Sequence, residues 1–133
     1  MLAPSPVLRL RLQARPGSAA LLRERLRLWL DEIEVNEEEA FDVLLAVGEA
    51  FANAVEHPRA PAVKLIEVEA ESAGGALTVV VRDFGTWADS RQREGGYGFS
   101  LMRWLMDSVD VDADLDGTAI TLRRHIAGVG SAR

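Results

Sequence analysis

The chain has 133 residues, of which 48% are hydrophobic and 27% charged, proportions typical of one globular domain that folds without metals or disulfides. Cysteine is absent, which excludes disulfides, zinc-thiolate sites and a cysteine nucleophile. No apolar run is long enough for a membrane span or a signal-peptide core, so we expect a cytoplasmic protein with no membrane partner. The net charge of −6 argues against nucleic acid as a direct partner, because binding to phosphates requires a basic face.

The first half of the chain predicts one strand followed by two helices. Residues 7–14 alternate leucine or alanine with arginine or glutamine, the period-two pattern of a half-buried strand. Apolar residues then recur at helical spacing to about Ile33, and Ser18 is in position to cap this helix. Asn36 can cap a second helix, which begins with three glutamates and runs to about Glu56.

The second half of the chain predicts mainly strands. A hairpin is expected around residues 73–75, and the adjacent Leu65 and Ile66 interrupt the alternation of its first strand, which suggests a bulge. A second turn is expected at Asp116 and Gly117. The predicted elements are strands 62–71 and 76–83, a polar loop 84–96, an apolar helix 97–107, and strands 108–113 and 118–124.

The order of these elements is β-α-α-β-β-loop-α-β-β, without a linker or internal repeat. Helices that interrupt a run of strands indicate an α/β (α+β) two-layer sandwich with a mixed, mostly antiparallel sheet. We therefore expect residues 1–133 to form a single domain. Its core covers about 6–125, and flexible tails are expected at 1–5 and 127–133.

The second predicted helix carries a polar face. Glu49, Asn53 and His57 are four residues apart, so they lie together and away from the apolar stripe of the helix. Most such faces are simply solvated, and that interpretation stays open. These residue types also permit chemistry, because Glu49 can act as a general base and the amide oxygen of Asn53 suits Mg²⁺, which keeps most of its waters.

Two polar residues share the side of their strands that faces the core. Asp83 has the parity of Val81, and Thr118 has the parity of Ile120. A buried carboxylate is costly unless it is hydrogen-bonded. Asp83 therefore either starts a turn with Gly85 after the strand has ended, or lies at the end of the sheet and accepts a hydrogen bond from a ligand amine. In the second case Thr118 would be another polar contact in the same pocket.

Glycines precede the third predicted helix, where Gly95, Gly96 and Gly98 surround Tyr97. Glycine permits close approach of the backbone to a ligand, and a helix start offers free N–H groups to phosphates. A turn that caps the helix is the simpler interpretation. The segment fits neither a dinucleotide fingerprint, because no strand immediately precedes it, nor a P-loop, which requires G-x-x-x-x-G-K-[ST].

Four segments, in this order, resemble the nucleotide-binding boxes of a known superfamily. They are GEAFANAVEH (48–57), RDFG (82–85), GGYGFSLM (95–102) and DGT (116–118). They are similar to the boxes of the Bergerat-fold (GHKL, histidine kinase-like) ATPases, which include gyrase-type topoisomerases and histidine kinases. The short chain and its β-α-α start resemble the bacterial anti-sigma factor serine/threonine kinases of that superfamily. The resemblance covers about residues 6–125, and it implies a sheet with the helices on one face.

The resemblance implies roles at both ends of an ATP molecule. Glu49 would be the general base that activates the attacking hydroxyl, and Asn53 would bind Mg²⁺ that bridges the phosphates. Asp83 would accept a hydrogen bond from the adenine amino group, with Thr118 assisting directly or through water. Three glycines complete the implied site: Gly85, where the backbone passes the base, and Gly96 and Gly98, which hold the phosphates with the helix start.

The same resemblance implies a kinase that uses ATP and Mg²⁺ to phosphorylate a serine of an anti-anti-sigma partner and alternatively sequesters a sigma factor or a related regulator. Such kinases are often homodimers, and strand 7–14 could leave an edge open for pairing. The interpretation as the ATPase domain of a histidine kinase is weaker, because no separate histidine-bearing helical domain fits in the chain.

The sequence departs from the pattern of the superfamily at three points. Trp87 stands where a second glycine of the D-x-G-x-G box is common, the lid of residues 86–95 is short, and His57 is followed by Pro58. These departures favour an alternative of a different class. In that alternative the chain binds ATP weakly or not at all, and it regulates a protein partner by sequestration.

Overall fold

The structure is a computed structural model that describes residues 6–56, 58–59, 64–87, 97–114 and 116–127. The predicted order of helices and strands is confirmed, with a 3-10 turn before the first helix and two short strands added. The elements are β1 (Val7–Gln13), the 3-10 turn (Pro16–Ser18), α1 (Ala19–Glu32), α2 (Glu37–Glu56), β2 (Pro58–Arg59), β3 (Leu65–Ala73), β4 (Ala76–Asp83), β5 (Thr86–Trp87), α3 (Tyr97–Leu105), β6 (Ser108–Ala113) and β7 (Thr118–His125).

The main sheet has five strands in the order β1-β3-β4-β7-β6, and every pair among these described strands is antiparallel. Strand β7 follows the other four in sequence but lies between β4 and β6. The pairing of β4 with β7 places Asp83 directly opposite Thr118. Strands β2 and β5 form a separate two-stranded sheet. The predicted two-layer sandwich is therefore confirmed.

The hydrophobic core lies between one face of the sheet and the helices α1, α2 and α3. Alternate residues of the strands point into this layer, as period two requires. The largest fully buried side chains come from both layers; they include Leu26, Leu30, Phe51, Ile66, Leu77, Phe99, Met102, Ile120 and Leu122. No helix among the described residues is long and apolar enough to cross a membrane.

The two helix caps predicted from the sequence have different outcomes. Asn36 caps α2: its Oδ1 accepts a hydrogen bond of 2.8 Å from the backbone N–H of Glu39, and its Nδ2 donates one of 3.0 Å to Oε1 of Glu39. The predicted capping of α1 by the Ser18 side chain is wrong. Ser18 ends the 3-10 turn with helical φ and ψ of −75° and −11°, whereas a capping side chain needs an extended backbone.

The hairpin between β3 and β4 is confirmed by the antiparallel pairing of the two strands. In its turn, Gly74 and Gly75 adopt φ values of 61° and 77°, which favour glycine. The bulge expected at Leu65 and Ile66 is wrong. Strand β3 pairs residue for residue with β1 from Leu65 onward, so Ile66 is buried and Leu65 lies half-buried on the outer face. The strand begins at Leu65, directly after Lys64, and the predicted strand residues 62 and 63 lie outside the described part of the chain.

The third helix also ends earlier than the sequence predicts, at Leu105 instead of residue 107. The backbone N–H of Asp107 donates to the carbonyl of Arg123, so the chain has already joined the sheet at that point. The predicted tails at 1–5 and 127–133 lie outside the described residues except for Ala127, whose backbone N–H donates to the carboxylate of Glu39.

Candidate functional site

One part of the candidate site forms where α3 meets the polar face of α2. Glu49 and Asn53 lie one turn apart on α2, and both are half-buried. Gly98, the second residue of α3, packs against them. A Cβ atom built on Gly98 would lie 2.9 Å from Oε1 of Glu49 and 3.6 Å from Nδ2 of Asn53. The first turn of α3 therefore lies beside a carboxylate and an amide.

The amide of Asn53 is available to a ligand. Its Nδ2 is buried and has no hydrogen-bond partner within the described part of the chain. The two ends of an amide exchange by rotation, so the carbonyl oxygen can occupy the same place. Among the described residues, no group of three or more acidic or histidine side chains is arranged to hold a metal. A cation beside Asn53 would therefore take most of its ligands from water and phosphate, and this donor set fits Mg²⁺.

A second part of the site lies where β4 ends and β7 begins. Asp83 is 3% exposed and Thr118 is 1% exposed, and they are the buried polar side chains of the described residues. Oδ1 of Asp83 accepts a hydrogen bond of 3.1 Å from the backbone N–H of Gly85. Asp83 is thus the last residue of β4, buried at the end of the sheet, and it also starts the turn with Gly85. Its hydrogen bond with a ligand amine stays a prediction. The hydroxyl of Thr118 is buried without a hydrogen-bond partner in the described structure.

Gly117 contributes to this end of the sheet in a way that the sequence analysis did not anticipate. A Cβ atom on Gly117 would overlap the backbone carbonyl of Asp83 and lie 3.1 Å from Cα of Phe84. The turn before it is fixed by Asp114, whose Oδ1 accepts hydrogen bonds from the N–H groups of Asp116 and Gly117. The D-x-D-G spacing signals this turn, but not the contact with Asp83.

The two parts of the site face the same layer of the fold. Asp83 and Thr118 lie on the face of the sheet that the helices cover, and α2 packs on both β4 and β7 as well as on α3. Gly85 is buried directly after β4. Gly96, His57 and most of the expected lid lie outside the described residues. The structure therefore groups Glu49, Asn53 and Gly98 at α2, and Asp83, Gly85 and Thr118 at the end of the sheet.

A half-buried arginine forms hydrogen bonds to both helices that carry site residues. Arg124 of β7 donates to Oδ2 of Asp42 at 2.6 Å and to the backbone carbonyl of Leu105 at 3.3 Å, and its guanidinium lies 4.0 Å from the carboxylate of Glu39. Asp42 and Glu39 belong to α2, and Leu105 ends α3. This network fixes the position of α2 relative to α3, and hence of Glu49 relative to Gly98.

Comparison with protein families gives one match that spans most of the chain. The family model described as "Histidine kinase-like ATPase domain" matches residues 12–124. The chain is also similar to two curated proteins named anti-sigma F factor. The protein of Clostridium perfringens is 24% identical over 134 residues, which cover 90% of this chain and 96% of that protein. The protein of Clostridium kluyveri is 22% identical over 125 residues, which cover 84% and 88% respectively.

Among solved structures, the chain is similar to that of the RsbU and RsbW domains of Rv1364c from Mycobacterium tuberculosis. The TM-score is 0.74 and the sequence identity 29%. The match covers 92% of this chain and 33% of the other, so the chain spans about a third of that protein.

Proposed function

The chain belongs to the family of histidine kinase-like ATPase domains, and on this premise we propose that it is an ATP-dependent anti-sigma regulator that phosphorylates a serine of an anti-anti-sigma partner. The resemblance predicted from the four boxes is confirmed for this family. The contact of Gly98 with Glu49 and Asn53 carries the proposal. It brings a helix N-terminus, a carboxylate and an unpaired amide together, which are the groups that phosphoryl transfer needs.

We assign adenine recognition to the end of β4 and β7. The carboxylate of Asp83 would accept a hydrogen bond from the adenine amino group, and Thr118 would contribute its hydroxyl. The support is that the Thr118 hydroxyl is buried without a partner among the described residues, a state that costs about 1–3 kcal/mol unless a ligand or water satisfies it. Gly85 would let the backbone pass close to the base, as the absence of a side chain permits.

We assign phosphate binding to the start of α3. Gly98, together with Gly96, would present backbone N–H groups to the phosphates, where the helix dipole favours negative charge. Asn53 would hold Mg²⁺ through its amide oxygen. When bound, this ion would neutralise part of the phosphate charge. The lack of a Cβ atom at Gly98 keeps the space beside Glu49 and Asn53 open.

Glu49 would be the general base. Its carboxylate, which would lie next to the phosphates, would take the proton of the partner's serine hydroxyl as the serine oxygen bonds to the terminal phosphorus. The bond from this phosphorus to the bridging oxygen breaks in the same step, and ADP leaves with its electron pair. A positioned base of this kind contributes about 10²–10⁴-fold to the rate. The Arg124 network supports this role, because it fixes the helix that carries Glu49 against the helix that carries Gly98.

We propose that the chain alternates between the anti-anti-sigma partner and a sigma factor or related regulator. The name anti-sigma F factor of two similar proteins supports the sigma-factor part of this proposal. We further propose a homodimer that uses β1, because β1 is an edge strand of the five-stranded sheet formed by the described residues. Light scattering at micromolar concentration tests the dimer, and a monomer mass would contradict it.

The kinase assignment is tested with Glu49→Gln, with Glu56→Gln as the matched control. Both residues lie on α2, and Glu56 is exposed. The assay combines calorimetric titration of Mg-ATP with transfer of radiolabelled phosphate to an anti-anti-sigma protein. We expect Glu49→Gln to bind Mg-ATP like the wild type but to lose transfer at least about 100-fold, while Glu56→Gln keeps both.

Two results would contradict the proposal in different ways. Normal transfer by Glu49→Gln would show that the base is misassigned. If the wild type binds no Mg-ATP at millimolar concentration, the chain is instead a nucleotide-free module that acts by sequestration. Asp83→Asn distinguishes a specific pocket from non-specific binding, because we expect it to abolish saturable Mg-ATP binding when Asp83 accepts the adenine hydrogen bond.

A further inference from the structure

We propose that the groove between the end of α1 and the start of α2 is a docking site for a basic amphipathic helix of a protein partner. The groove has a volume of about 620 Å³ and lies at the turn that joins the two helices. It is separate from the nucleotide site, because none of the residues assigned to ATP lines it.

The floor of this α1–α2 groove is apolar, and part of it is exposed. Leu28 of α1 and Phe41 of α2 are 57% and 64% exposed, and they line the groove together with Val35, Ala40 and Leu44. Large side chains that are exposed side by side on two helices form a surface into which a third helix can place apolar residues at i, i+3 or i+4, and i+7.

The rim of the groove is acidic. Glu24, Asp31 and Glu37 line it with one arginine, Arg27, and no ion pair joins these four side chains to one another or to other described residues. The turn itself adds to this charge, because residues 31–39 (DEIEVNEEE) contain six acidic and no basic residues. An unpaired acidic rim around an apolar floor is complementary to a helix with lysines or arginines beside its apolar stripe.

The backbone conformation of the turn does not explain why its residues are acidic. Glu34 adopts a φ of 66°, a left-handed conformation in which glycine is the favoured residue type, but a glutamate occupies this position.

The acidic charge of the groove also argues against other occupants. Nucleic acid and anionic lipid surfaces would be repelled, and a symmetric contact with a second copy would bring the two acidic rims together.

The test uses a fluorescein-labelled synthetic peptide of about 18 residues, with leucines at helical spacing and lysines elsewhere, and a scrambled peptide without an apolar face. Binding is followed by anisotropy without nucleotide, so that the result is independent of the ATP site. The variants are Phe41→Ser, which removes the apolar contact, and the double variant Asp31→Lys/Glu37→Lys, which reverses the rim. All six side chains changed in these variants and in the controls are exposed, so folding is checked simply by circular dichroism.

The matched controls lie far from the groove. Trp104→Ser removes an aromatic side chain that is 85% exposed on α3, and Asp110→Lys/Asp112→Lys changes the net charge by the same amount on β6. We expect the wild type to bind the amphipathic peptide and not the scrambled one, with affinity that falls between about 50 and 300 mM salt. Both groove variants should bind at least about tenfold more weakly, and both controls within about twofold of the wild type.

Three outcomes would overturn the proposal. The first is that the wild type binds both peptides equally, which would show that only net charge is recognised. The second is that the control variants lose as much affinity as the groove variants. The third is that Phe41→Ser converts a dimer to a monomer in light scattering without any effect on peptide binding, which would identify a second copy of the chain as the occupant of the groove.

Discussion

Replacement of Gly98 by alanine separates the stability of the fold from the geometry of the site. The added Cβ atom would lie 2.9 Å from Oε1 of Glu49, closer than real contacts allow. The carboxylate must therefore retreat by about half an ångström or more. Because this oxygen ends a flexible side chain, the retreat costs little free energy, and alanine gains up to about 1 kcal/mol over glycine within a helix.

We therefore expect Gly98→Ala to unfold within a few degrees of the wild type, or up to about 5 °C above it. Displacement of a catalytic group by about 1 Å can cost about 100-fold in rate, so phosphate transfer should fall about 10–100-fold. The methyl group also occupies the space beside Nδ2 of Asn53, at 3.6 Å. Interference with the Mg²⁺ that Asn53 would hold there should weaken Mg-ATP binding by about tenfold or more.

Gly48→Ala is the matched control, because Gly48 precedes Glu49 on α2 and a Cβ atom there meets nothing within 4 Å. We expect this variant to gain similar helix stability and to keep both Mg-ATP affinity and phosphate transfer. Thermal unfolding, calorimetry and the transfer assay are applied to both variants. The reasoning is refuted if folded Gly98→Ala binds and transfers like the wild type, or if Gly48→Ala is impaired to the same extent.

Thr118→Val should raise the free energy of unfolding by about 1 kcal/mol in urea titrations, because it removes a buried hydroxyl without a partner in the described structure, and should weaken Mg-ATP binding; a loss of stability would contradict this. Gly117→Ala should destabilise by about 1–3 kcal/mol, because its methyl group overlaps the backbone of Asp83, which cannot rotate away as a side chain can; wild-type stability would refute the contact. The backbone N–H of His125, and then its side chain, lower the pKa of Asp107, so this carboxylate stabilises the fold above its unfolded pKa and the contribution is lost as pH falls through the lowered folded pKa. Asp107→Asn should therefore reduce the decrease in the free energy of unfolding at acidic pH by a few tenths of a kcal/mol, as expected for an exposed pair. An unchanged decrease at acidic pH would exclude this contribution.

Local patterns in the sequence were sufficient to predict most of the elements. Leucine alternation identifies β1, and Asn36 followed by three glutamates identifies the start of α2, because these signals depend on neighbours only a few residues away. The alternation along β4 indicated, for the same reason, that Asp83 lies on the strand face that points to the core. Ser18 misled because its backbone conformation, and not its residue type, decides whether the side chain can cap.

The remaining features depend on partners that are distant in sequence. Nothing in residues 65–66 indicates that pairing with β1 keeps β3 regular, so an adjacent leucine and isoleucine look like a bulge when the strand is considered alone. The contact of Gly117 with Asp83 and the isolation of the Thr118 hydroxyl follow from the pairing of β4 with β7. The sequence alone assigns these residues to separate motifs, and only the pairing of the two strands shows that they lie next to one another.

The place of β7 in the sheet has a consequence for biosynthesis. While the ribosome is still adding the residues of β7, β4 has its partner β3 on one side and an open edge on the other, and β6 has no strand to join. The nascent chain therefore exposes an unpaired, largely apolar edge until the last strand emerges. Since Thr118 and Gly117 arrive with that strand, the candidate adenine pocket forms only when the sheet closes, and a nucleotide that binds there would favour chains that have completed it.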